Sequence, residues 1–177
     1  ALNYDSNAIY DNGTCLYCNT TLPYAENFDN NIGTWTNTGS AGDWLLNSGG
    51  TPSNSTGPTD DVTGGGNYMY IESSSPNYPN VGPFTLTSEC FDLTGSSNSI
   101  LSFYYNMYGS DMGTLNVYAN GNLIWSLSGD QGVGWNLAEV SLVGLGNNIV
   151  IDFEGITGSS FTSDIAIDNI NIEDQQA

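Results

Sequence analysis

The sequence of 177 residues contains no lysine, arginine or histidine, whereas aspartate and glutamate together number 19. Its formal net charge is therefore −19. Without side-chain cations the chain cannot build the basic surface that binds nucleic acid or anionic membranes. It also has no histidine for a catalytic triad or an imidazole metal ligand. The chemistry that remains rests on carboxylates, hydroxyls, amides and aromatic rings.

The sequence also lacks an apolar stretch long enough to span a bilayer, and its first residues do not form a secretory signal. We therefore expect a mature protein or an excised piece of a longer one. Uncompensated negative charge opposes compaction, and divalent cations from the medium are the obvious way to relieve it. These features predict a secreted or cell-surface protein in a calcium-bearing setting, without membrane insertion.

Aromatic residues are plentiful, with 11 tyrosines, 6 phenylalanines and 4 tryptophans, so the chain should fold despite its acidity. Leu101, Phe103 and Tyr105 share one face by the period-two alternation of a β-strand. Asn120-Gly121 lies between two such runs and indicates a two-residue hairpin turn. No stretch has a convincing helical period, so the pattern predicts an all-β sandwich. The predicted strands lie near Leu22–Phe28, Trp44–Asn47, Tyr68–Ser73, Phe84–Ser88, Ile100–Tyr108, Thr114–Ala119, Leu123–Leu127, Asn136–Leu142, Ile149–Glu154 and Phe161–Ile172.

The last predicted strand contains a change of parity. Ile165 and Ile167 alternate with small or polar residues, and Ile170 and Ile172 alternate with the opposite parity. A one-residue slip would turn the second pair to the wrong face of the sheet. A β-bulge near Asp168 would let all four isoleucines point inward and would also re-aim the aspartate.

One predicted loop, residues 48–67, is long and rich in glycine, serine, threonine and proline. Loops of this length in a compact domain are usually functional or held in place by other contacts. Asp60 and Asp61 lie in its middle, just before the run Gly64–Gly66.

Residues 1–20 are predicted to form a linker segment, followed by a sandwich at 21–174 and a tail at 175–177. Asp5, Asn7 and Asp11 precede a glycine and could wrap a second calcium ion, although their spacing does not fit an EF-hand. The alternative is a turn-rich linker tied by a disulfide. The segment resembles a linker motif of large secreted Bacteroidetes proteins, whose final cysteine corresponds to Cys15.

A series of motifs follows one known family in order over roughly residues 24–174. They are Phe28-Asp29, Trp35, Asp43-Trp44, Thr56–Thr63, Gly66–Ser73, Leu101–Gly109, Gly113–Tyr118, Leu123–Gly132, Trp135, Phe153–Gly155 and Asp164–Ile170. In these motifs the chain resembles a MAM domain, the module named after meprin, A5 protein and a receptor tyrosine phosphatase. The resemblance implies a two-sheet antiparallel jelly-roll sandwich and a role in adhesion or self-association. Most of the family's cysteines are missing, so its disulfide pattern does not transfer.

MAM-like domains often hold a structural cation between the first strand, the TGP loop and the last strand. The matching positions are Asp29, Asp61 and Asp168, with Asp60 as an alternate ligand. Carboxylates this close repel one another unless a hard cation lies among them, and calcium takes about six to eight oxygen ligands. The resemblance therefore implies calcium as a structural cofactor, and the alternative is three unrelated surface aspartates.

The three cysteines of the sequence are Cys15, Cys18 and Cys90. An odd count leaves one cysteine unpaired or paired outside the chain. Cys18 stands just before the first predicted strand and Cys90 just before Phe91, so we predict a Cys18–Cys90 disulfide. Cys15 is then a free thiol or is bonded to a preceding segment or neighbouring subunit, and a Cys15–Cys90 pairing stays open.

Aromatic side chains keep a glycan-binding domain as an alternative function. Tyr104 and Tyr108 face away from Phe103 and could form an exposed strip, whereas Trp44 and Trp125 fit the core better. Carboxylates for a glycosidase are present, but nothing in their spacing singles out an acid and a base. Glycosylation sequons begin at Asn12, Asn19 and Asn54.

These observations favour a non-catalytic extracellular module for adhesion or assembly, one unit of a tandem-repeat adhesin or surface filament. Its expected partners are neighbouring copies of itself or other extracellular proteins. A lectin-like domain that binds glycans is the alternative, and an enzyme is the least favoured.

Overall fold

The computed structural model describes residues 18–175, and within them the chain forms two six-stranded β-sheets. The strands are β1 Thr20–Thr21, β2 Tyr24–Glu26, β3 Thr36–Asn37, β4 Leu45–Asn47, β5 Tyr68–Ile71, β6 Phe84–Asp92, β7 Ser99–Asn106, β8 Thr114–Ala119, β9 Asn122–Ser128, β10 Asn136–Ser141, β11 Asn148–Ile156 and β12 Ile165–Asp174. No helix long and apolar enough to cross a membrane occurs in this part of the chain.

The two sheets form a sandwich, and from β5 to β12 successive strands alternate between the layers except for β8 and β9, which form a hairpin within one sheet. The first sheet has the order β1-β6-β11-β8-β9, with β3 also paired to β6. The second sheet has the order β10-β7-β12-β5-β4, with β2 also paired to β12. All described pairs are antiparallel except the short β1–β6 pair. The predicted all-β, two-sheet sandwich is therefore confirmed.

The core lies between the sheets and follows the predicted alternation. Ile149, Ile151 and Phe153 of β11 are all fully buried and face the second sheet. Phe153 meets Phe103 of β7 edge to face, with ring centroids 4.9 Å apart. An aromatic pair of this kind adds about 0.5–1.5 kcal/mol beyond its buried area. Trp44 is buried as predicted, and Trp125 is half-buried against Phe103.

The predicted bulge in β12 is confirmed. The register of β12 against β7 shifts between Asp168 and Asn171, and the intervening Asn169 has φ 45°. As a result, the isoleucines on both sides of the bulge are fully buried. The extra residue reconciles the two parities, because it lets the strand keep one face toward the core.

The predicted hairpin turn is also confirmed. Ala119 pairs with Asn122, and the two residues between them, Asn120 and Gly121, have φ 49° and 76°. Positive φ at both central positions is the geometry of a type I′ turn, which Asn-Gly adopts at little cost.

Two of the strand boundaries that differ from the prediction do so because side chains compete for the backbone. The strand expected over Leu22–Phe28 is reduced to β2, since Phe28 turns out of the sheet with φ 57° and its N–H donates to Glu26. The strand expected from Phe161 begins only at Ile165. Just before it, the Ser163 N–H donates to the Ser73 hydroxyl rather than to a neighbouring strand.

A disulfide joins Cys18 to Cys90, whose Cα atoms are 4.8 Å apart. It fastens the segment before β1 to β6, beside the point where Thr20 pairs with Phe91. Cys15 and the proposed second calcium loop of Asp5, Asn7 and Asp11 lie outside the described residues.

Replacing Asn169 tests the bulge. Valine favours strands but disfavours positive φ, at a cost of roughly 1–2 kcal/mol. Asn169→Val should therefore destabilise the domain by about that amount in denaturant unfolding, whereas Asn169→Gly should be tolerated. Thr85→Val, at an ordinary position of β6, is the matched control. Equal losses from the two valine variants would contradict the strained bulge.

Candidate metal centre

The loop 48–67 packs against the outer face of the second sheet. The Tyr68 hydroxyl donates to the Gly49 carbonyl at 2.7 Å, and the Trp135 indole N–H donates to the Asp60 carbonyl at 2.9 Å. The Gly57 N–H donates to the Tyr108 carbonyl at 3.1 Å. The loop is thus held at several points, as its length predicts, and it covers polar side chains that would otherwise be exposed.

Asp168 connects this loop to the last strand. Asp168 immediately precedes the bulge and, by strand alternation, points to the outer face with Ala166, where the loop leaves it only 1% exposed. Its Oδ2 accepts the Val62 N–H at 3.0 Å, and its Oδ1 accepts the Asn169 N–H at 2.7 Å. One carboxylate therefore binds both the loop backbone and the bulge backbone.

Asp61 lies at the bend of the same loop and is also buried. Its Oδ1 accepts the Gly66 N–H at 2.8 Å, and its Oδ2 accepts the Thr63 N–H at 2.9 Å. Burial works to raise the pKa of Asp61, but these hydrogen bonds, led by Thr63, hold it below its usual value. Asp61 is therefore a carboxylate that the fold keeps ionised.

Asp29 approaches the same place from the turn after β2. Its Oδ1 accepts the Asn67 N–H at 3.2 Å, and its backbone carbonyl accepts the Asn67 side-chain amide. A Cβ added to Gly66 would overlap Asp29 Oδ1 and would stand 3.0 Å from Asp61 Oδ2. The two carboxylates thus converge on Gly66, and a side chain at that position would displace the Asp29 carboxylate.

The alternate ligand, Asp60, has a different role in this structure. Its Oδ1 accepts the Asp61 N–H at 3.0 Å, and its Oδ2 accepts the Gly65 N–H at 3.1 Å. These bonds shape the bend of the loop.

The electrostatics of the cluster are unfavourable for Asp168. Burial raises its pKa to about 6, and the negative charges of Asp61 and Asp29 add to that shift. Hydrogen bonds from Val62 and Asn169 act in the opposite direction without cancelling it. The chain has no side-chain cation to offset this charge, so a proton or an external cation is the remaining source of neutralisation.

The donor chemistry of the cluster fits a hard cation, because all its ligand atoms are oxygens. In residues 18–175, however, no three carboxylates are arranged closely enough to hold one ion together. The hydrogen bonds above explain this, since each carboxylate is engaged by backbone amides. A cation here would complete its shell from other oxygens or draw the three side chains together.

Other predicted residues lie apart from this cluster. Asn19 and Asn54 are exposed, and Asn12 lies outside the described residues. Tyr104 and Tyr108 are half-buried rather than forming an open strip. Sequence reasoning missed Asn67, which holds Asp29 through both its backbone and its side chain. The only signal for it was its place after the glycine run.

The fold is that of a two-sheet β-sandwich module, and comparison with known proteins identifies the family. The family model described as "MAM domain, meprin/A5/mu" matches residues 27–176. The chain therefore belongs to the MAM domain family, as the sequence motifs predicted.

Relatives of the chain include animal proteins whose names describe MAM domains. The chain is 36% identical over 178 residues to the mouse MAM domain-containing glycosylphosphatidylinositol anchor protein 2, covering 92% of this chain and 17% of that protein. It is 37% identical over 138 residues to human MAM domain-containing protein 2, covering 73% of this chain and 19% of that protein. The chain thus spans under a fifth of each relative.

Solved structures share the fold at lower identity. The K1 cleaved adhesin domain of Lys-gingipain from Porphyromonas gingivalis superposes with a TM-score of 0.62 at 18% identity, covering 87% of this chain and 99% of that one. The module TmCBM61, solved in complex with β-1,4-galactotriose, gives a TM-score of 0.51 at 14% identity, covering 84% and 94%. These likenesses show the fold alone.

The raised pKa of Asp168 predicts a pH dependence in the absence of divalent cations. Unfolded aspartate titrates near pH ~3.9, so the folded state binds the Asp168 proton more tightly. Its contribution to stability is complete below about pH 4 and is lost as the pH rises towards 6. We expect a loss of about 2 kcal/mol in the unfolding free energy, measured in denaturant between pH 4 and 7.

Asp168→Asn should remove this part of the pH dependence, because the amide cannot ionise. Glu139→Gln is the control, since it removes an exposed carboxylate of β10 and so reports only the general effect of net charge. Parallel pH curves for wild type and Asp168→Asn would contradict the assignment.

Proposed function

We propose that the domain is a non-catalytic extracellular module for adhesion or assembly, with calcium as a structural cation at Asp29, Asp61 and Asp168. The observation that carries the proposal is the membership of the chain in the MAM family. The related proteins named as glycosylphosphatidylinositol anchor proteins support a cell-surface or secreted location. The disulfide between Cys18 and Cys90 supports the same location, because such bonds persist in oxidising compartments.

The case for calcium is electrostatic. Asp168 is buried beside two further carboxylates, and the loop 48–67 depends on it through the Val62 N–H. A cation among these carboxylates would remove their repulsion and hold the loop against β12. Calcium is the hard cation that extracellular fluids supply in quantity and that tolerates irregular oxygen shells.

The charge of the chain bears on its partners. Two copies of a domain with net charge −19 repel each other at low ionic strength, and bound cations reduce that repulsion. Self-association of neighbouring copies should therefore depend on calcium. We extend the proposal to one unit of a tandem-repeat adhesin or filament, in a bacterial protein that carries the Cys15 linker motif.

Glycan binding is the second candidate, and it is supported by the fold shared with a carbohydrate-binding module. The aromatic residues of the outer face give it limited further support. The Trp135 ring packs edge-on against Tyr68 with centroids 5.7 Å apart, and its N–H is already bonded to the loop. A sugar would have to stack on the remaining exposed part of that ring or on the half-buried tyrosines.

Calcium should raise the thermal stability of the domain. A ligand that binds only the folded state at a hundredfold excess over its Kd adds about 2.7 kcal/mol, or roughly 5–10 °C in Tm for a domain of this size. Asp168→Asn should blunt this response while melting no lower than wild type in chelator. Glu139→Gln should respond as wild type does. Identical wild-type melting curves in calcium and in chelator would remove calcium from the proposal.

Adhesion is tested with beads coated with the domain. We expect beads that carry wild-type protein to cluster in calcium and to disperse in chelator, with weaker clustering for Asp168→Asn. The same protein on a glycan array should give no calcium-dependent hits. Saturable glycan binding by beads that never cluster would reject the adhesion module in favour of the lectin-like one.

A further inference from the structure

A second carboxylate, that of Asp164 just before β12, is fully buried, and only one of its two oxygens has a hydrogen-bond partner. Its Oδ1 accepts the Ser73 N–H at 2.9 Å and lies 2.8 Å from the Ser73 hydroxyl oxygen, whose single hydrogen is shared between Oδ1 and the Phe161 carbonyl at 2.6 Å. Its Oδ2 is the one buried side-chain nitrogen or oxygen atom of residues 18–175 that has no hydrogen-bond partner. Buried polar atoms are nearly always paired, so this oxygen requires an explanation.

The surroundings of Asp164 are acidic and rich in oxygen. Ile165 pairs with Ile71, so Asp164 and Glu72 are the next residues along two adjacent strands. Burial raises the pKa of Asp164, and the Glu72 charge adds to that rise. The Thr51 hydroxyl, on the loop 48–67, lies beside the carboxylate and lowers its pKa. The Thr56 hydroxyl accepts the Asp164 N–H at 2.9 Å.

An ionised carboxylate with an unpaired oxygen in the interior is costly, and like charges on adjacent strands add to the cost. A salt bridge cannot relieve it, because the chain contains no lysine, arginine or histidine. A proton on Oδ2 would need an acceptor of its own, and the structure provides none in hydrogen-bond reach of that atom. A cation from solution satisfies the orphan oxygen and offsets both carboxylates together.

We propose that Asp164 Oδ2, the Glu72 carboxylate and the Thr51 hydroxyl form a second cation site, which takes a hard ion such as calcium. The oxygen-only donor set excludes softer metals that prefer nitrogen or sulfur ligands. The site holds the first half of the loop 48–67, through Thr51, against the start of β12. It goes beyond the proposed function and does not require calcium at the Asp168 cluster.

The two sites occupy separate positions, one just before β12 and the other within it. Asp164 and Asp168 lie four residues apart on the outer face with Ala166 between them, and the bulge follows Asp168. At about 3.3 Å per residue their Cα atoms are roughly 13 Å apart. One ion cannot bind both carboxylates, so each variant should remove its own binding event.

Calcium titration by isothermal calorimetry, after removal of bound metal, tests the site. Asp164→Asn should bind one equivalent of calcium fewer than wild type, and Asp168→Asn should keep the event that Asp164→Asn loses. Glu72→Gln, at a half-buried position, should weaken that event without removing it. Glu139→Gln should titrate as wild type, and circular dichroism in chelator checks that each variant is folded.

The outcomes separate this proposal from the previous one. Unchanged stoichiometry in Asp164→Asn, together with unchanged calcium affinity in Glu72→Gln, would overturn the second site, whatever happens at Asp168. Loss of binding only in Asp168→Asn would leave the first site standing alone. If Asp164→Asn instead raises the melting temperature equally in calcium and in chelator, Asp164 is a neutral acid or a water ligand, and the proposal is wrong.

Discussion

Every carboxylate of this chain has to be accommodated without a side-chain cation, and much of the fold's polar architecture follows from that constraint. Backbone amides and hydroxyls take the place that lysine and arginine occupy in other proteins. Asp111 accepts hydrogen bonds from Thr162, Ser159 and Ser110, which hold its pKa below the usual value. Asp174 likewise accepts the N–H groups of Ser97 and Asn98. The carboxylates therefore hold loops in place through hydrogen bonds instead of forming ion pairs.

The loop 48–67 shows where this solution reaches its limit. Asp60 and Asp61 lie at its bend, where several N–H groups are free to donate, so their charges are well supported. Asp164, just before β12, and Asp168, within β12, lie beneath the loop, where few backbone N–H groups are left to donate to their carboxylates. Burial without enough donors raises both pKa values. The loop therefore covers the two carboxylates whose charges are least stabilised, and an external cation would have its largest effect there.

The sequence predicted the fold well wherever side chains alternate. The faces of β7 and β11, the Asn120-Gly121 turn and the bulge of β12 all follow from local pattern, because packing and turn geometry are decided by adjacent residues. The shortened β2 and the late start of β12 were not predictable in that way. The Phe28 N–H bonds to Glu26, a local contact that acts against the alternation. The Ser163 N–H bonds to Ser73, which is near it only in the folded chain.

The candidate site was predictable only in part. Family motifs pointed to Asp29, Asp61 and Asp168, and the structure brings the first two to Gly66 and buries the third under the same loop. Asp164 carries no comparable signal, because Asp-Ile-Ala-Ile resembles an ordinary strand with its polar residue in solvent. Its burial results from a loop more than a hundred residues earlier in the sequence, whose Thr56 meets the Asp164 backbone. Local periodicity cannot report such a contact.

The Cys18–Cys90 bond also determines how the domain would carry tension. A load applied between residue 18 and residue 175 crosses directly from Cys18 to β6, since the bond spans 72 positions of sequence. The strands β1 to β5 and the loop 48–67 lie inside the covalent ring that this bond closes. The shortest covalent path between the two loaded residues therefore bypasses these strands and the loop. A module arranged in this way can be stretched while the half that contains Asp29 and Asp61 bears no load through its backbone.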